Sequence, residues 1–194
     1  MAPELPPRVV SDRYRDPLDV VWIGTAGALG LTVRWSSEVY ASSDGQGVLT
    51  LGAPETLDAD DCVAQMIFHE LCHWIVNGAE AVRSIDWGFP PMEEVDWREF
   101  VTLRVQAELA RCHGLERLLA PTTDARAYYD AVVAAPLQPL DGSERERAIT
   151  SMARERVAAS TEDPWGPPLA RALRATAQIR AAAQPWADSD SLLR

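Results

Sequence analysis

Apolar residues recur at helical spacing between residues 63 and 75, and this pattern predicts the best-defined helix of the chain. One face of that helix would carry Val63, Met66, Ile67, Leu71, Trp74 and Ile75. Asp58 or Asp60 is placed to cap its start, because a carboxylate can accept from the free N–H groups of a first turn. Asn77 and Gly78 have the chemistry of a left-handed helix end. We therefore expect a largely buried helix that stops at these two residues.

Weaker patterns precede this helix. Residues 16–30 predict a first helix, although two glycines inside it lower its helical propensity. Residues 31–35 and 48–51 are rich in β-branched and apolar side chains, which predicts two strands. Residues 42–47 between them have turn chemistry, so the two strands are expected to pair as a hairpin. A small sheet at this point would cover one side of the helix that follows.

The pattern after residue 78 is helical. A second strong helix is expected from about Met92 to Cys112, with Gly114 as its stop. Further helices are predicted at 124–135, 143–159 and 168–183, separated by prolines. The predicted fold is therefore α+β and mainly helical, with a small β-sheet ahead of the first strong helix and a second, glutamate-bearing helix behind it. We expect three parts: a loose segment over 1–15, a domain over 16–120, and a helical C-terminal extension over 121–194 packed on that domain.

Composition and charge narrow the classes of partner. The net charge of −11 opposes binding to a nucleic-acid backbone and favours a basic protein or peptide. No stretch approaches the roughly 18 apolar residues of a membrane span, and the N-terminus shows neither a basic start nor an apolar run. Three cysteines, Cys62, Cys72 and Cys112, form no paired framework. We therefore expect a cytoplasmic protein that binds neither nucleic acid nor membranes.

The sequence His69-Glu70-Leu71-Cys72-His73 lies inside the predicted helix and has the spacing of a metal-binding motif. Residues four apart lie on the same face of a helix, so both imidazoles can reach one ion. Glu70 is offset around the helix beside them, where metal chemistry uses a carboxylate. Cys72 points to another side and is expected to be a small core residue. The simpler alternative is that both histidines only donate hydrogen bonds inside the core.

Two histidines need a third protein ligand to hold a catalytic metal. The second strong helix and the residues before it offer several acidic candidates and the third histidine of the chain. These are Glu93, Glu94, Asp96, Glu99, Glu108 and His113. Carboxylates at the start of a helix are commonly exposed and favoured by its dipole. Spacing alone leaves the choice among these residues open.

A longer pattern around the motif resembles the elongation factor P hydroxylase family. The matching residues are His69-Glu70-Leu71-Cys72-His73-Trp74, then Gly78, Glu80-Ala81, Arg83 and Asp86-Trp87-Gly88. In that family the third ligand is a glutamate followed seven and eight residues later by Gln-Ala. Here only Glu99 among the acidic candidates has this spacing, to Gln106-Ala107. The resemblance covers residues of about 63 to 110.

The resemblance implies a non-haem iron held by His69, His73 and Glu99, with Glu70 as a catalytic residue. Gln106, Trp74 and Asp86 would support the site. The implied reaction is hydroxylation of a modified lysine side chain on a translation factor, which suits an acidic enzyme and a basic protein substrate. The implied cofactor is one divalent metal ion, iron before zinc.

Two other hypotheses remain open from the same residues. A zinc metallopeptidase with a zincin-like motif helix would use the same three ligands, with Glu70 as the general base that takes a proton from the metal-bound water. A noncatalytic protein would use the metal, or a His-Glu network, only to tether two helices. Bound iron with oxygen consumption would favour the first hypothesis, and bound zinc with peptide cleavage would favour the second.

Overall fold

The computed structural model describes residues 11–90 and 96–194, and over these residues the chain has the predicted α+β fold. Six α-helices and one three-stranded sheet occur in this part of the chain. The helices are α1 Pro17–Ala28, α2 Val63–Asn77, α3 Trp97–Arg111, α4 Arg126–Val132, α5 Glu144–Ala159 and α6 Gly166–Ala183. The strands are β1 Thr32–Ser36, β2 Ala41–Ser43 and β3 Val48–Gly52. The residues 92–95 of the expected second helix lie outside the described ranges.

Helix α2 forms the centre of the molecule. Its side chains are buried on nearly every face, with α1 on one side and α3 on another. Helix α2 ends at Gly78, whose positive φ of 87° confirms the predicted end of the helix. The predicted cap was wrong: Cys62 Sγ, not Asp58 or Asp60, accepts from the Gln65 N–H at 3.4 Å. The two aspartates lie in a separate turn before the helix, so their side chains do not meet its first N–H groups.

The sheet differs from the expected hairpin. The two predicted strands, β1 and β3, are parallel, with Thr32 opposite Val48 and Ser36 opposite Gly52. A short strand that the pattern did not predict, β2, pairs antiparallel with the other edge of β3. The hairpin therefore joins β2 to β3, and Asp44 stabilises its turn by accepting from the Val48 N–H at 2.9 Å. The serines assigned to a turn belong to β2, because only Asp44 to Gly47 are needed to reverse the chain.

Helix α3 packs against α2 with one face and against α5 with the opposite face. On the α5 side, Arg104 is completely buried and donates to Glu146, to the Tyr128 hydroxyl at 2.7 Å and to the Pro136 carbonyl at 2.6 Å. A buried guanidinium needs a partner for each donor group, and this network supplies them. It fixes the rotation of α3, and hence the direction of the side chains on its α2 side.

The C-terminal helices share their apolar core with the earlier part of the chain. One cluster of buried side chains includes Leu18 from α1, Ile67 from α2 and Leu173 from α6. Trp22 of α1 also donates to Thr176 of α6 through its indole N–H, at 2.9 Å. The proposed boundary at residue 120 stays a prediction. Among the described residues no helix combines the length and apolar character that crossing a membrane requires.

Candidate metal centre

Three predicted ligands come together between α2 and α3. His69 and His73 lie one turn apart on the same face of α2, and Glu99 faces them from the first turn of α3. The two Nε2 atoms are 3.0 Å apart. Glu99 Oε1 lies 3.7 Å from His69 Nε2, and Glu99 Oε2 lies 3.4 Å from His73 Nε2. These three residues are the group in the described part of the chain whose donor atoms are placed to hold one metal ion.

The size of this triangle fits a first-row transition metal. Two ligand atoms each about 2.1 Å from one ion, at angles of about 90° to 120°, are separated by about 3.0 to 3.6 Å. The observed separations of 3.0, 3.4 and 3.7 Å lie in or next to that range. A two-histidine, one-carboxylate set is also chemically suited to iron or zinc. The donors therefore fit one divalent ion, and both candidate metals match them.

A hydrogen-bond chain from α3 fixes the orientation of His69. Gln106 donates from Nε2 to the Leu119 carbonyl at 2.8 Å, which turns its Oε1 towards His69. That oxygen lies 2.7 Å from His69 Nδ1 and can only accept. His69 therefore carries its proton on Nδ1, and the lone pair of Nε2 points at the metal position.

His73 is oriented in the same way by Thr102. The Thr102 hydroxyl donates to the Arg98 carbonyl at 3.1 Å, so it is left to accept from His73 Nδ1 at 3.4 Å. The lone pair of His73 Nε2 then faces that of His69. Two lone pairs 3.0 Å apart repel each other, and a cation between them turns this repulsion into attraction. The orientation of both rings therefore matches a metal site better than a purely structural histidine pair.

Burial favours the neutral form of His73. Desolvation lowers the pKa of His73 well below its usual value, and the neighbouring His69 and Arg98 lower it further. Glu99 Oε1 is buried without a hydrogen-bond partner in the described residues, which is costly for a carboxylate oxygen unless a cation is close. The His73 and Glu99 side chains remain 12% and 18% exposed, so this side of the triad is not completely buried.

Glu70 is buried next to His69 and is not one of the three grouped ligands, and its carboxyl group accepts a hydrogen bond from a tryptophan. Its Oε2 accepts from Trp87 Nε1 at 2.7 Å. Burial raises the pKa of Glu70, while the neighbouring His69 and the Trp87 hydrogen bond act in the opposite direction. A carboxylate with a raised pKa next to a metal site is suited to take up and release a proton.

Trp87 reaches Glu70 because the backbone around it is left-handed. Asp86 has φ 47° and Trp87 has φ 57°, and a bulky residue in this region costs about 1–3 kcal/mol. Asp86 Oδ1 holds the turn against β2 by accepting from the Ser42 hydroxyl at 2.9 Å and the Ser43 N–H at 3.0 Å. Predicted supporting residues Asp86 and Trp74 therefore act at a distance from the metal ligands: the first pins the turn, and the second stacks on Trp87.

The other candidate ligands are bonded to different residues, lie outside the metal-binding group or fall outside the described residues. Asp96 caps α3 and pairs with Arg98, and Glu108 pairs with Arg111. His113 lies beyond the end of α3 and is not in the metal-binding group. Glu93 and Glu94 fall outside the described residues. Glu99 is thus the candidate that the described structure brings to the two histidines.

Thr102 and Trp87 are site residues that the sequence reasoning did not select. Thr102 could have been found from helix geometry, since positions 99, 102 and 106 share one face of a helix. Trp87 is the aromatic residue of the Asp-aromatic-Gly sequence, but its hydrogen bond to Glu70 depends on the left-handed turn. Phe89 was also missed, and its ring lies edge-on to His73 with centroids 4.4 Å apart.

No family model matches this chain, no curated protein matches it, and no solved structure matches it.

Proposed function

We propose that this protein is a metal-dependent oxygenase that hydroxylates a lysine-type side chain of a protein substrate, as the elongation factor P hydroxylases it resembles do. The observation that carries the proposal is spatial. Three residues of the resemblance, scattered between positions 74 and 106, connect to the metal-binding triad or to Glu70 beside it, directly or through one another. Gln106 bonds His69, Trp87 bonds Glu70, and Trp74 stacks on Trp87.

A peptidase motif alone does not require this arrangement. The general peptidase motif needs the two histidines, a third ligand and the glutamate between the histidines. It gives no reason for a tryptophan at 74, a left-handed turn at 86–88 or a glutamine at 106. Their assembly around the triad therefore favours the more specific hypothesis.

In the proposed reaction the metal and the protein residues would have different roles. When bound, a redox-active ion would supply the activation of dioxygen, while His69, His73 and Glu99 hold it. Hydroxylation converts one C–H bond to C–OH, with the second oxygen atom released as water at the expense of two electrons and two protons from an external reductant. Glu70 would move one of these protons, since its carboxyl group is buried next to the ligand His69 and is held by the Trp87 indole N–H.

Charge supports a basic substrate. The chain carries a net charge of −11, which draws a basic protein surface towards it. Glu99 is one of the acidic residues in this total, and it lies partly exposed at the triad. A translation factor with a modified lysine is the substrate that the resemblance implies, and it remains part of this proposal.

The test is to purify the protein, identify its bound metal and measure oxygen consumption. The protein is loaded anaerobically with Fe(II), then mixed with ascorbate and a lysine-containing protein substrate. Substrate-dependent oxygen uptake and a mass gain of one oxygen atom on the substrate would support the proposal. Tightly bound zinc together with peptide cleavage would overturn it, and a His69→Ala variant serves as the metal-free control in both assays.

A zinc metallopeptidase is the second candidate, and one specific observation favours it. Glu70 lies in the position of a general base within the motif, and burial raises its pKa towards the range in which a carboxylate can take a proton from metal-bound water. In this case the substrate would be a peptide bond.

A further inference from the structure

We propose that Trp87 is a positioning residue that holds Glu70 in one orientation for proton transfer at the metal site. The inference rests on the proposed function in one respect, namely that Glu70 transfers a proton, and both candidate reactions share this step. Trp87 would act through Glu70 without touching the substrate. Its role would be to select the rotamer of the carboxylate and to determine which oxygen stays free.

The contact itself is short and directional. The Trp87 indole N–H donates to Glu70 Oε2 at 2.7 Å, and both residues are buried. Among the described residues this is the hydrogen bond that the Glu70 carboxylate receives from the protein. It leaves Oε1 as the oxygen available for a proton.

The indole cannot easily move away from this position. Its ring stacks on Trp74 at a centroid distance of 5.5 Å and an interplanar angle of 10°. The Trp87 backbone N–H donates to the Ser43 hydroxyl at 3.2 Å. On the opposite side of the turn, a side chain at Gly45 would come within 2.9 Å of the Arg83 carbonyl oxygen, so the strand turn and the 83–88 segment are in close contact.

The backbone conformation argues for a role beyond filling the core. The left-handed φ of 57° is unfavourable for a bulky residue such as Trp87, although an aspartate such as Asp86 tolerates it, and such strain persists where the surrounding contacts enforce it. An aromatic ring could fill the same space from a relaxed backbone. The strained turn instead directs the indole N–H of Trp87 at the carboxyl group of Glu70, which is not a predicted metal ligand.

Two other buried tryptophans provide matched comparisons. Trp74 donates its indole N–H to the Ala79 carbonyl at 3.0 Å, and Trp22 donates to the Thr176 hydroxyl at 2.9 Å. All three indoles are buried donors, but only that of Trp87 is bonded to a carboxylate. Trp22 bonds α6 and packs on Phe68 of α2 with ring centroids 5.3 Å apart. Trp22→Phe removes a buried indole hydrogen bond that involves neither Glu70 nor a metal ligand, and it keeps an aromatic ring against Phe68.

The first experiment uses the zinc-loaded protein and needs no turnover. Indole N–H resonances are recorded by ¹⁵N–¹H NMR, and the Trp87 signal is assigned by its loss in Trp87→Phe. Glu70→Gln replaces the carboxyl acceptor with an amide, so we expect the Trp87 signal to move while those of Trp22 and Trp74 stay in place. A Trp87 signal that does not move in Glu70→Gln would overturn the assignment, even if the reaction of the enzyme were still unidentified.

The second experiment is a double-mutant cycle on turnover, in the oxygenase assay or, if only peptide cleavage is found, in that assay. We expect Trp87→Phe to lower kcat about 10- to 100-fold with KM within about 2-fold, because a misplaced catalytic group lowers the rate more than it lowers binding. In the Glu70→Gln background the same substitution should cause no further loss. Trp22→Phe should leave kcat unchanged.

The outcomes separate the two proposals. If Trp87→Phe and Trp22→Phe change kcat equally, or if the losses for Trp87 and Glu70 add, Trp87 is only a structural residue and the inference fails. If neither assay gives turnover, the proposed function fails, and the NMR experiment alone decides whether Trp87 holds Glu70.

Discussion

The Nε2 atoms of His69 and His73 lie 3.0 Å apart, with the Nδ1 atom of each ring directed at a side chain of α3. Gln106 accepts from the first ring and Thr102 from the second. The inner nitrogen atoms are thus left with their lone pairs facing each other and the Glu99 carboxylate. This arrangement is unfavourable without a cation and favourable with one, so the metal is expected to contribute to the stability of the α2–α3 contact.

Glu99→Ala should abolish tight metal binding. It removes one of the three protein donors, and we expect the affinity for zinc to fall by more than the about 10- to 100-fold that loss of a supporting residue causes. Competition with a chromophoric chelator measures this change. Glu108→Ala, on the same helix, is the matched control and should bind zinc as the unaltered protein does. Normal affinity in Glu99→Ala would show that the third ligand lies elsewhere.

Gln106→Leu and Thr102→Val should weaken metal binding while leaving all three ligands in place. Each removes the acceptor that holds one imidazole in the required orientation, so we expect about a 10- to 100-fold loss of zinc affinity. The effect of Gln106→Leu should be the larger, because its bond to His69 is 2.7 Å and the Thr102 contact to His73 is 3.4 Å. If both variants bind zinc as tightly as the unaltered protein does, these contacts do not orient the ligands.

Glu70→Gln should separate binding from turnover. We expect the variant to keep its metal, since Glu70 is bonded to Trp87 and is not one of the ligand residues. Turnover should fall about 10²- to 10⁴-fold, the usual contribution of a general acid or base. Metal content and kcat are measured on the same preparation. A variant that turns over normally would remove Glu70 from the proton path of either reaction.

Arg104→Met should destabilise the fold by about 3–5 kcal/mol, because it leaves the buried Glu146 carboxylate without its guanidinium partner. Arg111→Met is the control on the same helix. Its ion pair with Glu108 involves an arginine side chain that is 44% exposed and screened by water, so the expected loss of stability is much smaller than for Arg104→Met. Urea denaturation measures both, and losses of similar size would show that the buried network does not stabilise α3.

The metal-free protein should become less stable as the pH falls through about 6.5. Desolvation lowers the pKa of His73 in the folded state, whereas the unfolded imidazole titrates near 6.5. Below that pH the unfolded chain therefore binds a proton that the folded protein resists, and the free energy of unfolding decreases. Denaturation in EDTA at several pH values between 8 and 5.5 measures this slope.

His73→Gln should reduce the change of the free energy of unfolding with pH. Two other groups also contribute to this pH dependence. His113 also has a lowered pKa through burial and the nearby Arg174, so it contributes in the same direction. The raised pKa of Glu70 contributes in the opposite direction, because the folded protein then takes up a proton before the unfolded chain does. An unchanged slope in His73→Gln would show that this imidazole is not the source of the pH dependence.

Much of the helical structure could be read from local patterns. The spacing of apolar residues from 63 to 75 and the glycine at 78 predicted α2 and its end, since both signals arise within a few residues of each other. The predicted strands at 31–35 and 48–51 also exist. Their pairing was wrong, because the partner of a strand depends on contacts across the chain, and a three-residue strand such as β2 carries almost no pattern of its own.

The candidate metal ligands likewise depend partly on local patterns and partly on contacts between distant parts of the chain. Helical periodicity alone placed His69 and His73 on one face, and so predicted that both could reach one ion. It did not select a glutamate, since Asp96, Glu99 and Glu108 are all compatible with an exposed helix face. Glu99 was selected by the resemblance, and the packing of α3 on α2 brings its carboxylate to within 3.4 Å of His73 Nε2.

The sequence by itself determined that this chain forms a mainly helical α+β fold around a helix with two histidines one turn apart, because both properties follow from local spacing. Only the tertiary structure decided which way each imidazole faces, since Gln106 and Thr102 reach the rings across an interface between two helices. It also decided the position of Trp87. A left-handed turn pinned to β2 carries its indole to Glu70, and no local pattern of apolar and polar residues encodes that contact.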